Sequence, residues 1–239
     1  MKVALVGNQN SGKTSLFNVL TGTNQKVGNW PGVTIERKEG NIKGTNITIV
    51  DLPGVYSLSP YTAEEEVSRK YALEERPEVI INIVDATSIE RSLYLTTQLL
   101  ELDTKVVIAL NMSDMLEKRN IHIDTNKLSA LLQTTVVKIS ALKETGIDEL
   151  IRILKEDDIL PNLHQHIYPN DVEEVLDYIG RLNHTNRFVS VKILERDEKY
   201  EKMMTDSIKY QIIKLENHYG YDTEQTVSYT HLRAHETRS

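Results

Sequence analysis

Residues Gly7 to Thr14 read G-N-Q-N-S-G-K-T, the spacing G-x-x-x-x-G-K-[ST]. A strand-like run, "KVALVG", precedes it and a helix-like run follows, which is the context that gives the motif its meaning. In such a loop the backbone N–H groups of Gly7, Asn8, Gln9, Asn10, Ser11 and Gly12 can turn inward and cradle a phosphate. The N-terminus of the next helix, with Ser15 in its first turn, adds partial positive charge. Lys13 is suited to neutralise β- and γ-phosphate oxygens, and the Thr14 hydroxyl to ligate Mg²⁺. "DLPG" (Asp51 to Gly54) ends a later strand. There Asp51 is placed to hold the water shell of Mg²⁺, and the Gly54 N–H to reach a γ-phosphate. "NMSD" (Asn111 to Asp114) ends another strand. An aspartate at Asp114 can accept from both N1–H and the 2-amino group of guanine, a donor pair adenine lacks. In "SAL" (Ser140, Ala141, Leu142) a main-chain N–H would back the guanine O6.

These motifs need a scaffold that brings strand ends together. "NITIVD", "VIINIVD", "KVVIALN" and "TVVKIS" are short apolar strands, and the first pairs with "TIERKEGNI" through a turn near Gly44. Ile89, Leu93 and Leu100, then Leu128, Leu131 and Leu132, recur at helical spacing between them. The alternation predicts an α/β fold with a mostly parallel, doubly wound sheet and helices on both faces. Chemistry in such folds gathers at the carboxyl ends of the strands, where each motif falls.

Composition narrows the classes. The chain has 239 residues, 39% hydrophobic, with a formal net charge of −7, which gives a nucleic-acid partner little electrostatic support. With no cysteine, disulfides and thiolate metal sites are excluded. "MKVALVG" is too short for a signal peptide. No apolar run approaches the roughly 18–20 residues of a membrane helix, so the chain is expected to be soluble. Residues 1–160 form the expected nucleotide-binding domain. Residues 161–225 form a small helical appendage, with helices over "NDVEEVLDYIGRL" and "SIKYQIIKLENHYG" and the short apolar "RFVSVKILERD" between them. It carries 8 Lys and Arg against 12 Asp and Glu, again a poor match for RNA. Residues 226–239 have no period of either kind and read as a vector-derived tail.

In this order and spacing the four motifs resemble a Ras-like P-loop GTPase over residues 1–160. Met112 stands where that family usually has lysine, and its flexible side chain can still cover a base face. "KVGNWPGVTIERKEG", together with "GNQNSGKTSLFN", "DLPGVYSLSPYTAEE", "VDATSIERSLYLTTQLLE" and "ALNMSDM", narrows the resemblance to the cytosolic N-terminal G domain of bacterial ferrous iron transport protein B. Residues 161–225 are similar to that family's helical spacer. Gln9 departs from the family's usual proline. The resemblance implies a GTPase using GTP, Mg²⁺ and K⁺, and a membrane-spanning region of the same transporter as partner. It also implies a place at the cytoplasmic face of the bacterial inner membrane, with a homo-oligomer possible. In that family Thr34, flanked by Gly32 and Val33, closes on Mg²⁺ in the triphosphate state, and the same segment loosens after hydrolysis. Its glycines and Pro31 suit a mobile loop.

Many GTPases orient the attacking water with a glutamine just after the glycine of DxxG. Here that position is Val55, which has no hydrogen-bonding group. Asn10 then has two readings. It caps the following helix, as asparagine does well, or its carbonyl oxygen helps hold a K⁺ that supplies charge between the phosphates. The resemblance favours the second, with main-chain carbonyls of Gly28 and Trp30 completing the site. Asn10, Lys13, Thr34 and Gly54 are thus the expected catalytic set. Two other classes stay open: a stand-alone cation-activated GTPase of ribosome or tRNA biology, and a GTP sensor with negligible hydrolysis. The pair His164 and His166 reads as a solvated linker. Glu64 to Glu66 read as first-turn helix charges, and Trp30 as an exposed loop residue.

Overall fold

The structure, a computed structural model, describes residues 1–58, 62–161, 168–220 and 222. His164, His166 and the tail 226–239 lie outside the described residues. The chain divides into two compact units, one of Met1–Leu100 with Thr104–Leu163, the other of Glu101–Asp103 with His164–Ser239.

The first unit is built on strands β1 (Lys2–Gly7), β2 (Gln25–Asn29), β3 (Glu36–Asn41), β4 (Thr48–Asp51), β5 (Val79–Asp85), β6 (Lys105–Asn111) and β7 (Thr135–Lys138). They form one sheet in the order β2-β3-β4-β1-β5-β6-β7. From β4 through β7 neighbouring strands are parallel, while β2-β3 and β3-β4 pair antiparallel. Alternation along β1 sorts the two faces. Val3 and Leu5 join Leu16, Phe17 and Leu20 of α1 (Lys13–Thr21) and Leu150 and Ile153 of α6 (Ile147–Glu156) in one core. On the other face Asn82 of β5 donates to Thr96 of α3 (Ile89–Leu100) at 2.6 Å, so a polar residue mid-strand is satisfied. Between these elements lie α2 (Ala63–Lys70), α4 (Ser113–Lys118) and α5 (Thr125–Leu132).

Parallel strands put their carboxyl ends on one edge. Gly7, Asp51 and Asn111 each end a strand there, and Ser140 follows β7. Two features differ from the sequence reading. Gln25–Asn29, taken as part of a loop, is the edge strand β2, almost wholly exposed and carrying one apolar residue, Val27. The segment after it is an ordered turn. Val33 N–H donates to the Trp30 carbonyl at 3.2 Å, and Gly32 has φ +78°. Pro31 and Gly32 thus occupy the two central positions of a type II turn, which demands positive φ at the second. Trp30 N–H donates to the Ile35 carbonyl at 2.9 Å, which extends the β2-β3 ladder by one pair.

The second unit is helical: α7 (Asn170–Asn183), α8 (Arg187–Leu194) and α9 (Asp206–Tyr219), the last capped by Gly220 in the left-handed region. "RFVSVKIL", read only as an apolar segment, is α8, capped by Asn186 accepting from Val189 N–H at 3.0 Å. Val172, Leu176, Ile179, Ile193, Ile208 and Ile212 form its core. No described helix is long and apolar enough to cross a membrane.

Candidate functional site

The loop after β1 is held from three sides. Ser11 Oγ donates back to the Asn8 carbonyl at 2.8 Å, closing the turn. Asn111 donates through Nδ2 to the Ser11 carbonyl, and its Oδ1 accepts from Ala141 N–H, both at 2.9 Å. One buried side chain thereby ties the phosphate loop, the end of β6 and the loop after β7 into a single body. Gly12 has φ +90°, and a Cβ there would fall 2.2 Å from Asn111 Nδ2, so glycine is required on both counts. Gly54 lies against Gln9, whose backbone N would stand 3.3 Å from an added Cβ. Val55 N–H donates to the Gly7 carbonyl at 3.1 Å. Gln9 is therefore the wall against which Gly54 packs.

Lys13 Nζ lies 3.0 Å from Asp51 Oδ1, with both side chains largely buried. Burial pushes the Asp51 carboxyl above its ordinary range, and the Lys13 ammonium pulls the other way. Thr14 and Ser15, at the start of α1, are exposed, as a helix end that receives a ligand must be. Asn10 has φ 64° and an exposed side chain. The cap position of α1 is Gly12, with no side-chain cap bond, so the capping reading of Asn10 is overturned: the left-handed turn puts it two residues short of the cap. Val55 is wholly buried.

At the far end, Ser140 Oγ donates to Asp114 Oδ1 at 2.8 Å, while Lys143 N–H donates to Ser140 Oγ at 3.2 Å. Asp114 Oδ2 is buried with no hydrogen-bond partner. Ser140, expected to act through the main chain of its loop, also fixes Asp114 with its hydroxyl, a contact its residue type alone signals. Ala141 is buried and Leu142 is 81% exposed. Met112 takes φ 64° at the start of α4.

On the β2-β3 side Gly28 and Thr34 are exposed, Val33 is half-buried and Gly32 sits in the turn. Trp30, expected to be exposed, is 7% exposed. Its ring meets Tyr71 edge-on at 5.4 Å, and the Arg37 guanidinium stacks on it at 4.9 Å. Tyr71, unremarked in the sequence, opens a π-helical turn (Tyr71–Glu75) that continues α2. Glu64, Glu65 and Glu66 lie in the first turn of α2, whose cap Thr62 exchanges bonds with Glu65 in a capping box. Ser68 of the same helix donates to the Pro53 carbonyl within "DLPG" at 3.1 Å.

The oxygen donors at Thr14 and Asp51 form a hard set that suits Mg²⁺. Among the described residues no group of three or more His, Cys, Asp or Glu is gathered as a metal site. Asn10 and the Gly28 and Trp30 carbonyls are neutral oxygens of the kind that replace a potassium hydration shell. The Asn10 side chain faces solvent and keeps its carbonyl available.

Sheet order and the glycine-rich loop after β1 together define a Ras-like P-loop nucleotide-binding domain. Comparison with known proteins narrows it. The profile of the family described as ferrous iron transport protein B matches residues 1–154. The Fe(2+) transporter FeoB of Escherichia coli K12 is 47% identical over 156 residues, 63% of this chain and 20% of the transporter. A crystal structure of an S. thermophilus NFeoB mutant bound to GDP superimposes with a TM-score of 0.91 at 40% identity, covering 99% of this chain and 98% of that one. NFeoB from S. thermophilus bound to GDP.AlF4⁻ and K⁺ gives a TM-score of 0.88 at 41% identity, with coverage of 99% and 98%. The chain belongs to the ferrous iron transport protein B family, and it spans about one fifth of the length of the curated relatives it matches.

Proposed function

We propose that this chain is the GTP-binding and GTP-hydrolysing domain of a ferrous iron transporter. In this reading it regulates Fe²⁺ uptake by a membrane-spanning region from the cytoplasmic face of a bacterial inner membrane. Residues 1–160 are the G domain and 161–225 its helical spacer. The observation that carries the nucleotide assignment is Asp114: Oδ1 is taken by Ser140 and Oδ2 is buried and bare. A buried acceptor without a partner costs free energy that only a donor can recover, and guanine N1–H and its amino group are such donors. The similarity to GDP-bound NFeoB supports the same reading.

In this site the loop N–H groups from Asn8 to Thr14 cradle the phosphates, and Lys13 leaves Asp51 to meet β- and γ-oxygens. Thr14, Thr34 and Asp51 are the residues that would hold Mg²⁺, which would neutralise phosphate charge there. Gly54 N–H faces the γ-phosphate, with Gln9 behind it. Met112 covers the base, and the Ser140–Leu142 main chain supports O6. Asn10, with the Gly28 and Trp30 carbonyls, would hold a K⁺, which would supply positive charge as the leaving oxygen develops charge. Buried Val55 contributes no group to the water.

The test is phosphate release from GTP with Mg²⁺, in KCl and in NaCl at equal ionic strength, so that general screening is the same. Turnover faster in KCl, absent with ATP, and insensitive to the swap of salts in Asn10→Ala is the expected pattern. Failure to release phosphate in either salt would leave a nucleotide sensor, and an undiminished KCl advantage in Asn10→Ala would remove Asn10 from the cation site.

A further inference from the structure

The loop that carries Thr34 is seated by a side chain to which the proposed function gives no role. Trp30 is the only tryptophan in the chain. It lies four residues before Thr34, at the base of the turn joining β2 and β3, and its indole is 93% withdrawn from solvent. The seat is built from Tyr71, edge-on at 5.4 Å with an interplanar angle of 74°, and from Arg37, whose guanidinium stacks 4.9 Å from the ring centroid. Arg37 is itself held by Glu39 at 2.8 Å. Tyr71 belongs to the junction of α2 and its π-helical turn. π-helical turns are rare and concentrate at functional sites. The same helix holds the Pro53 carbonyl of "DLPG" through Ser68. One short element therefore grips both the loop after Asp51 and the turn that presents Thr34.

The seat is incomplete in one respect. Trp30 Nε1 is buried and has no acceptor. Aromatic packing favours the seated ring, while the bare donor opposes it and would be relieved on release. Such a contact holds one arrangement without making it irreversible, as a two-state element requires. We propose that Trp30 is a positioning residue for GTP hydrolysis. Its indole latches the turn against Tyr71 in a resting arrangement and leaves that seat when Thr34 closes over the triphosphate. The inference rests on the reading above, in which Thr34 closes over bound GTP.

The single tryptophan reports its own seat. With Mg²⁺ and KCl, emission should be blue-shifted with GDP and move to longer wavelength with a non-hydrolysable GTP analogue. Trp30→Phe keeps an aromatic ring on Tyr71 and Arg37 and deletes the bare donor, so the seated form gains. GDP affinity should be unchanged while kcat falls about tenfold with little change in KM. Tyr71→Leu empties the seat of its ring edge. Emission should already be at longer wavelength with GDP, and turnover should be at least that of the parent. Retained GDP binding in each variant shows that it folds. Emission that is the same with GDP and with the analogue overturns the latch, as does Trp30→Phe turning over at the parental rate. Absence of phosphate release from the parent would instead sink the GTPase reading, so the two failures are distinct.

Discussion

Asp114 has one carboxylate oxygen held by Ser140 and the other buried without a partner. Replacing it with asparagine keeps the shape and turns one acceptor into a donor. Facing guanine N1–H and the amino group, that donor leaves two polar groups opposed and unpaired. Asp114→Asn should weaken GDP binding by about 1–3 kcal/mol, read by calorimetric titration against the parent; equal affinities would remove Asp114 from the base site. This residue was legible in the sequence because the motif fixes both its type and its place just beyond a strand end, in the first turn of α4. Trp30 was not. Its burial depends on Tyr71, 41 positions further on, and no local pattern records that meeting. Gly12 lies between the two cases. The motif names it, while the reason it cannot be otherwise, the Asn111 amide where a Cβ would sit, appears only in three dimensions.

The parallel strands β1, β4, β5 and β6 were legible because each is an apolar run bounded by turn residues, and burial on both faces produces that pattern. β2 escaped because an edge strand in solvent needs no apolar face: only Val27 among its five residues is apolar. Pro31 and Gly32 together specify a type II turn, which the expectation of a mobile segment had not named. In the helical unit α7 and α9 announced themselves by period, but the ion cluster beneath them did not. Arg187 binds Glu173 with both terminal nitrogens, at 2.7 and 2.8 Å, and Glu101 with Nε. Both carboxylates are nearly inaccessible. Burial pushes the Glu101 carboxyl above its usual range, and Arg187 opposes that rise. Arg187→Met keeps the stem and strands two buried anions, so unfolding should become easier by about 3–5 kcal/mol at neutral pH. A carboxyl whose folded-state value is raised binds protons more tightly folded than unfolded. Stability therefore falls as pH rises through that value and returns on acidification. Arg187→Met should thus recover part of its loss in denaturant titrations between pH 7 and pH 5. A loss that is constant across that range would show that packing, not charge, is what Arg187 supplies.

At the scale of the whole molecule, charge separates the family reading from a stand-alone GTPase of ribosome or tRNA biology. The net charge is −7. The helical stretch 161–225, where such an enzyme would carry a basic module, holds 8 cationic against 12 anionic side chains. Several cations of that stretch are already engaged: Arg187 with Glu101 and Glu173, Lys192 with Glu195 and Arg196 with Glu216. Binding RNA draws most of its free energy from neutralising phosphates and releasing their counterions, which requires cations free to face the backbone. An acidic surface with Arg187 and Arg196 engaged by its own carboxylates repels a polyanion and gains little from that release. The chain should therefore show no retention of tRNA or of a ribosomal RNA fragment in gel-shift or filter binding at about 0.1 M salt, with GDP or with a GTP analogue present. Lowering the salt tenfold lengthens the screening distance to about 30 Å, which strengthens repulsion for a net anion and attraction only for a patch of cations. Affinity that appears at low salt and falls steeply as salt is raised would reveal such a patch, and would return the ribosomal reading to first place.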